Sequence, residues 1–217
     1  MARKSSCKGK LFFLRFALQN YHETYGCFPP PYIADADGRP MHSWRVLLLP
    51  FIDKKELYEE YRFDEPWDGP NNRKLANRIV FREHESLFHC PSDELASGKP
   101  DPLMTSYLAV VGPGMAWQGG KCMALGDVAD DHESTVMLVE VANSGVHWME
   151  PRDLYIQQMA PTINSAGGQG ISSPHSGGAH AATVNGSCRF LSDKLSAATI
   201  RGLLTINGGE QISEWDF

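Results

Sequence analysis

Three consecutive prolines, Pro29-Pro30-Pro31, limit most sharply how this chain can begin to fold. Proline has no backbone N–H and fixes φ, so no helix runs through such a triplet. Just upstream, Leu11, Leu14, Leu18, Tyr21 and Tyr25 recur at steps of three and four. That spacing lines one face of a helix. Gly26 supplies its natural stop. The chain therefore divides into a helical segment, 1–28, and a remainder, 29–217. Phe12, Phe13 and Phe16 fall on roughly the opposite face of the helix, at about 100° per residue. A helix apolar on two sides is either sandwiched within its own domain or shared between that domain and a partner.

The remainder predicts one globular α+β unit with long ordered loops. Asp35-Ala36-Asp37-Gly38 is a turn, and Ser43–Pro50 is a short apolar segment. Lys54–Tyr61 and Arg73–Ile79 suit short helices, the first with Leu57, Tyr58 and Tyr61 inward. Between them, Asp64–Asn72 carries two prolines and a glycine and reads as a loop pinned by Trp67. Ser106–Val111 and Thr135–Val141 are β-type runs, the second near-continuous and so expected at the centre of a sheet. Asn185-Gly186 between two further β-type runs predicts a hairpin with a type I′ turn. Ser196 is placed to cap a closing helix that reaches Leu204.

Composition excludes several classes. The chain has 217 residues, 42% hydrophobic and 21% charged, with net charge −6. This is a folded chain rather than a disordered one, and it has no basic stripe for nucleic acid. No apolar run reaches the roughly 18 residues of a membrane span, and no secretory signal is evident. Five separated cysteines with no C-x-x-C spacing argue against zinc ribbons and dithiol redox motifs. They fit either buried thiols or one or two disulfides plus a free thiol.

Motifs for catalysis are weak. His84 and His89 are five residues apart, about 140° around a helix, and so cannot share a metal there as an H-E-x-x-H pair does. Ser172, Ser173 and His175 lie close in sequence without a nucleophile elbow. Gly167-Gly168-Gln169-Gly170 lacks the lysine and setting of a phosphate loop. Asp35 and Asp37 are only a fragment of a calcium loop. His175 and His180 flank a glycine-containing segment that can bring both imidazoles together. The competing reading has His175 anchoring the loop on backbone. Asp64, Glu65 and Asp68 form the better calcium-type oxygen set, against an acidic loop that merely caps N–H groups. Trp67, Trp117 and Trp148 are expected to stack on a sugar or small solute if exposed, and otherwise to anchor the core.

Several blocks, taken in order, resemble one family. Cys7–Pro31 ends in Asn20-Tyr21-His22-Glu23-Thr24-Tyr25-Gly26-Cys27-Phe28-Pro29-Pro30. There follow Ser43–Ile52, Phe63–Asn72, Phe88-His89-Cys90-Pro91-Ser92-Asp93 with Thr105-Ser106-Tyr107, Val136–Glu140 and Val146–Leu154. His175 and Asn185-Gly186 are spaced as an H-x9-D-G motif with Asn in place of Asp, and Thr205–Glu210 matches the tail. Together these resemble the planctomycete prepilin-type proteins of DUF1559, also called SBP_bac_10.

The resemblance implies a type IV pilin- or pseudopilin-like fold, a helix packed on an antiparallel sheet. It implies a non-enzymatic, extracytoplasmic domain with a structural or assembly role in a pilus or type II secretion-like surface system. Expected partners are pilin-like subunits or secretion components, or, on the family's other label, a solute or glycan. Segment 1–28 is then the second half of a pilin-like helix, and membrane contact is expected only through a stretch preceding Met1. A Cys7–Cys90 disulfide is also implied by the family blocks. The Asn185 substitution implies that the H-x9-D-G motif is a hairpin with an anchoring histidine rather than an active site.

Overall fold

The structure, a computed structural model, describes residues 2–80, 86–93, 101–165, 169–210 and 212. His84, Glu85, Gly167 and Gly168 fall outside these residues. The N-terminal helix α1 spans Ala2–Tyr25. It ends where expected, with Gly26 at φ 77° and its N–H donating to the His22 carbonyl.

After the prolines the chain forms a small hairpin, β1 (Tyr32–Ala34) with β2 (Pro40–Ser43), whose register slips between Ile33 and Ala34. The Asp35 carboxylate builds the turn by accepting from the Asp37 and Arg39 N–H groups. Short helices α2 (Trp44–Leu47), α3 (Lys55–Glu60) and α4 (Asn72–Leu75) follow. Pro50 sits in the first positions of a 3-10 turn, Leu49–Phe51, rather than extending α2, since it cannot donate inside a helix.

The main sheet has five strands in the order β5-β3-β4-β6-β7: β3 (Tyr107–Val111), β4 (Val136–Glu140), β5 (Leu154–Tyr155), β6 (Gly178–Thr183) and β7 (Cys188–Ser192). The β3–β4, β4–β6 and β6–β7 pairs are antiparallel, and β5 adds in parallel to β3. The β4 strand lies at the centre, as its apolar run predicts. The fold class is α+β, with an N-terminal helix on an antiparallel sheet.

Both sheet faces are covered. Tyr107, Ala109 and Val111 point to the core shared with α1, while Leu108 and Val110 point to the core shared with α5 (Ala197–Leu204). This alternation is the two-residue period of a strand buried on both faces. Ser196 caps α5, its hydroxyl accepting from the Thr199 N–H at 3.0 Å. On the α1 side β6 presents Gly178, His180 and Ala182, while Ala179 and Ala181 belong to the α5-side core.

The predicted type I′ turn is corrected. Positive φ occurs at Gly186 (96°) and not at Asn185. The strands pair through Ala182 and Cys188, the Thr183 N–H donates to Ser187, and the Gly186 N–H returns to Thr183. The connection is therefore a three-residue loop with one left-handed glycine, the bulged alternative to a two-residue turn. Asn185 serves as a bracket, its side-chain oxygen accepting from the Thr183 hydroxyl and the Ser187 N–H.

No helix of the described residues is long and apolar enough to cross a membrane.

Candidate functional site

The stretch of α1 from Cys7 to Arg15 is fastened by four dissimilar contacts to the 86–90 segment, to β3 and to the β6–β7 turn. Cys7 forms a disulfide with Cys90, with the Cα atoms 5.2 Å apart. The Tyr107 hydroxyl donates to the Cys7 carbonyl, and the Lys10 ammonium donates to the Ser86 and His89 carbonyls. The Arg15 guanidinium donates to the Asn185 carbonyl at 2.7 Å. A Cβ on Gly186 would stand 1.4 Å from Arg15 Nε, so this glycine serves both the turn and the helix seat.

The Cys90 segment is held as firmly. The Cys90 N–H donates to the Ser106 hydroxyl, which itself donates to Asp93. The Asn143 N–H donates to the other Asp93 oxygen. Burial raises the Asp93 carboxyl above its ordinary range, and these hydrogen bonds only partly oppose it. The matching of F-H-C-P-S-D and T-S-Y blocks thus has a physical basis, since the two segments dock on one another.

Beneath the disulfide lies a polar cluster in an otherwise apolar core. Glu140, fully buried, has its Oε2 bonded to His180 twice: to the backbone N–H at 3.1 Å and to Nδ1 at 3.0 Å. Its Oε1 accepts no hydrogen bond from the described residues and faces His175 Nε2 at 3.5 Å. The same His175 nitrogen is 3.7 Å from Cys90 Sγ. The two imidazoles sit edge to face, with ring centroids 5.8 Å apart. The glycine segment does bring them together, but the anchor for His175 is a buried carboxylate and a sulfur rather than backbone carbonyls. Burial holds the His175 imidazole below its ordinary pKa, against the opposing pull of Glu140.

Glu140 and its contact with His175 were missed in the sequence. The available signal was a carboxylate within the run Val136–Val141, because a charge in a central strand must find partners.

Of the calcium-type set Asp64, Glu65 and Asp68, only Glu65 is drawn into the local hydrogen bonding among the described residues. Glu65 directs Oε1 to the Asn71 and Asn72 N–H groups and Oε2 to the Asn71 amide. Desolvation works against ionisation of Glu65, but those donors from Asn72 and Asn71 outweigh it and hold the carboxyl below its ordinary range. It is a cap at the start of α4, while Asp64 and Asp68 are exposed beside it. Among the described residues, the group whose ligand atoms all lie within 4.8 Å of one another is Cys7, Cys90, Glu140 and His175.

The tryptophans separate as well. Trp117 and Trp148 are 2% and 0% exposed, so neither offers a ring face to a solute. Their indole N–H groups donate to the Met137 and Ala76 carbonyls, and Trp148 stacks on Phe88. Trp67 is half-buried and stacks on His147, with centroids 5.2 Å apart, in a cleft of about 480 Å³ with Asp68, Arg73, Asn77 and Glu150.

A second polar centre is structural. Arg45, fully buried, donates to Asp153 at 2.5 Å, to Ser43 and to the Tyr107 carbonyl. Asp153 also accepts from the Ala109 N–H and the Trp44 indole. It links α2, β3 and the segment before β5.

On the solvent side of α1, Phe12, Phe13 and Phe16 are 48%, 62% and 49% exposed. Leu11, Leu14 and Leu18 on the other side are buried. Of the two readings of the helix, internal sandwiching is excluded.

The sequence that builds this arrangement matches a recognised family. The family model SBP_bac_10, Protein of unknown function (DUF1559), matches residues 1–140 and 111–197. The chain belongs to this family. No match emerges among the curated proteins or the solved structures.

Proposed function

We propose that this chain is a non-enzymatic, extracytoplasmic assembly domain of pilin or pseudopilin type, in which α1 packs against the equivalent helix of a second copy. The observation that carries this is the exposed Phe12, Phe13 and Phe16 stripe on a helix whose other face is already in the core. Three large aromatics on one face are costly in water and contribute strongly when covered. The stripe borders a groove of about 580 Å³ that runs between Lys10, Phe13, Phe16 and Asn20 on α1 and Phe51 and Ile52 below it. An apolar ridge beside an apolar groove on one surface is the self-complementary geometry of helix packing between copies.

Two further observations support the reading. A disulfide that joins the helix to the Cys90 segment suits an oxidising compartment. The hydroxyls next to His175 are occupied by local structure rather than poised as nucleophiles. Ser172 donates to Gly170 and accepts from Ala142, and Ser173 accepts from the His175 N–H.

Sedimentation velocity across a concentration series tests the proposal. The native chain is expected to self-associate, and Phe13→Glu with Phe16→Glu is expected to make it monomeric without lowering its melting temperature. A native chain that stays monomeric at millimolar concentration overturns the reading.

A second reading, a solute- or glycan-binding module, rests on the Trp67–His147 platform. A half-exposed stacked ring beside charged and amide groups is chemistry suited to a sugar face. A sugar panel in a thermal-shift assay tests it. A shift that disappears in Trp67→Ala supports this reading, and no shift with any sugar removes it.

A further inference from the structure

We infer that the Cys7–Cys90 disulfide masks a four-ligand metal site, and that its reduction yields a zinc centre of two thiolates, one imidazole and one carboxylate. This goes beyond the assembly reading and does not depend on it. The ligand atoms of Cys7, Cys90, Glu140 and His175 already lie within 4.8 Å of one another. Zn–S bonds of about 2.3 Å and Zn–N or Zn–O bonds of about 2.0–2.1 Å give a tetrahedron with edges of roughly 3.4–3.8 Å. The Cys90–His175 separation of 3.7 Å and the His175–Glu140 separation of 3.5 Å match two of those edges. Opening the site needs the two sulfurs to part and the remaining ligand atoms, all within 4.8 Å of one another, to settle onto the metal.

An independent observation points the same way. Glu140 Oε1 is fully buried, aimed into the cluster, and accepts no hydrogen bond from the described residues. A buried carboxylate oxygen in that condition is destabilising unless something cationic meets it. His180 meanwhile fixes the other oxygen through Nδ1 and its backbone N–H. This is the outer support that orients a ligating carboxylate. His175 reaches the surface, its side chain 8% exposed, on a loop followed by Gly177 at φ 88°. That loop is the entry path.

The chemistry balances. A dithiol reductant attacks one sulfur of the disulfide, and its second thiolate releases the mixed disulfide. Two electrons cleave the S–S bond, the reductant leaves as its own disulfide, and the two thiol protons pass to Cys7 and Cys90. Zn²⁺ then displaces those two protons to form two Zn–S bonds. His175 Nε2 and Glu140 Oε1 complete the four-coordinate site.

Cobalt(II) is the test probe, with a phosphine as a reductant that leaves no competing thiol. The phosphine-reduced chain is expected to bind one equivalent of Co²⁺, showing thiolate-to-cobalt charge transfer and intense tetrahedral d–d bands. The oxidised chain should show neither, and Zn²⁺ should bleach both. The signal must persist when Cys27, Cys122 and Cys188 are all replaced by serine. Its loss there would assign it to those thiols and overturn the site. His175→Ala should weaken Co²⁺ binding at least tenfold, and His180→Ala by about tenfold. Unchanged affinity in His175→Ala also overturns it. If reduction alone unfolds the chain, Zn²⁺ must restore the near-UV circular dichroism, and failure to do so is equally decisive.

Discussion

Arg45 and Asp153 show what a single buried charge does in this protein. Each is stabilised by the other and by neutral donors and acceptors around it. Removing one partner leaves an uncompensated charge inside the core. Arg45→Ala is therefore expected to cost about 3–5 kcal/mol, measured by urea denaturation. The double replacement Arg45→Met with Asp153→Leu should recover only part of this, because the Ala109 N–H and the Trp44 indole then lose their acceptor. Asn185 predicts the opposite outcome. A carboxylate keeps both of its hydrogen bonds, so Asn185→Asp should leave the melting temperature nearly unchanged, whereas Asn185→Ala should lose about 1 kcal/mol.

The thiols differ in the same local way. Burial, with a hydrogen bond donated by the Cys27 thiol to Cys122, pushes Cys27 up to about 11, and burial pushes Cys188 to about 11. Alkylation without reduction, followed by mass spectrometry, should label exposed Cys122 first and Cys27 and Cys188 slowly. Cys7 and Cys90 should react only after reduction. The turn of Asp35 and the cap of Ser196 were legible in the sequence because those side chains bond to backbone a few positions away. Glu140 with His175, and Arg45 with Asp153, were not, because only the sheet brings such partners together.

Among the elements, α1 carries the sharpest contrast. Its helical period, its stop and its two apolar faces were all legible in sequence. Which face is buried was not, because periodicity is blind to what lies opposite. The two faces predict opposite responses. Leu14→Ala removes core packing and should cost about 2–5 kcal/mol. Phe13→Ser, on the solvent face, should change monomer stability by about 0.5 kcal/mol or less. Equal losses at both positions would mean that α1 is covered on both sides within the monomer. The β6–β7 hairpin was placed correctly by Asn185-Gly186, but its turn type was not. Loop length follows strand register, and register is set by how Gly178 to Ala182 lie against their partners. Gly178 is part of that fit, since a Cβ there would stand 2.0 Å from the Leu191 carbonyl oxygen.

Across the whole molecule, stability is tied to pH through histidines buried in separate places. His42 lies against the Tyr61 hydroxyl and the Phe63 carbonyl. His89 faces the Met104 carbonyl with Asp93, Asp101 and Lys10 nearby. His147 lies under Trp67 near Asp101, Glu150 and Arg73. In all three, burial dominates and lowers the imidazole pKa below 6.5. The unfolded chain then takes up protons at a pH where the folded chain does not. Their contribution is complete above the ordinary histidine range and is lost as pH falls through it toward the lowered folded values. Asp93 and Asp153 work in the opposite sense, since burial raises their carboxyls and the stability they supply in acid is lost as pH rises above the ordinary carboxylate range, so they reduce the histidine slope without removing its cause. Urea midpoints are therefore expected to fall steadily from about pH 7.5 to pH 5.5. His42→Gln should flatten part of that slope, because a glutamine in the same place has no proton to gain. A midpoint that stays flat, or rises, over this interval would contradict the burial of these imidazoles as neutral groups.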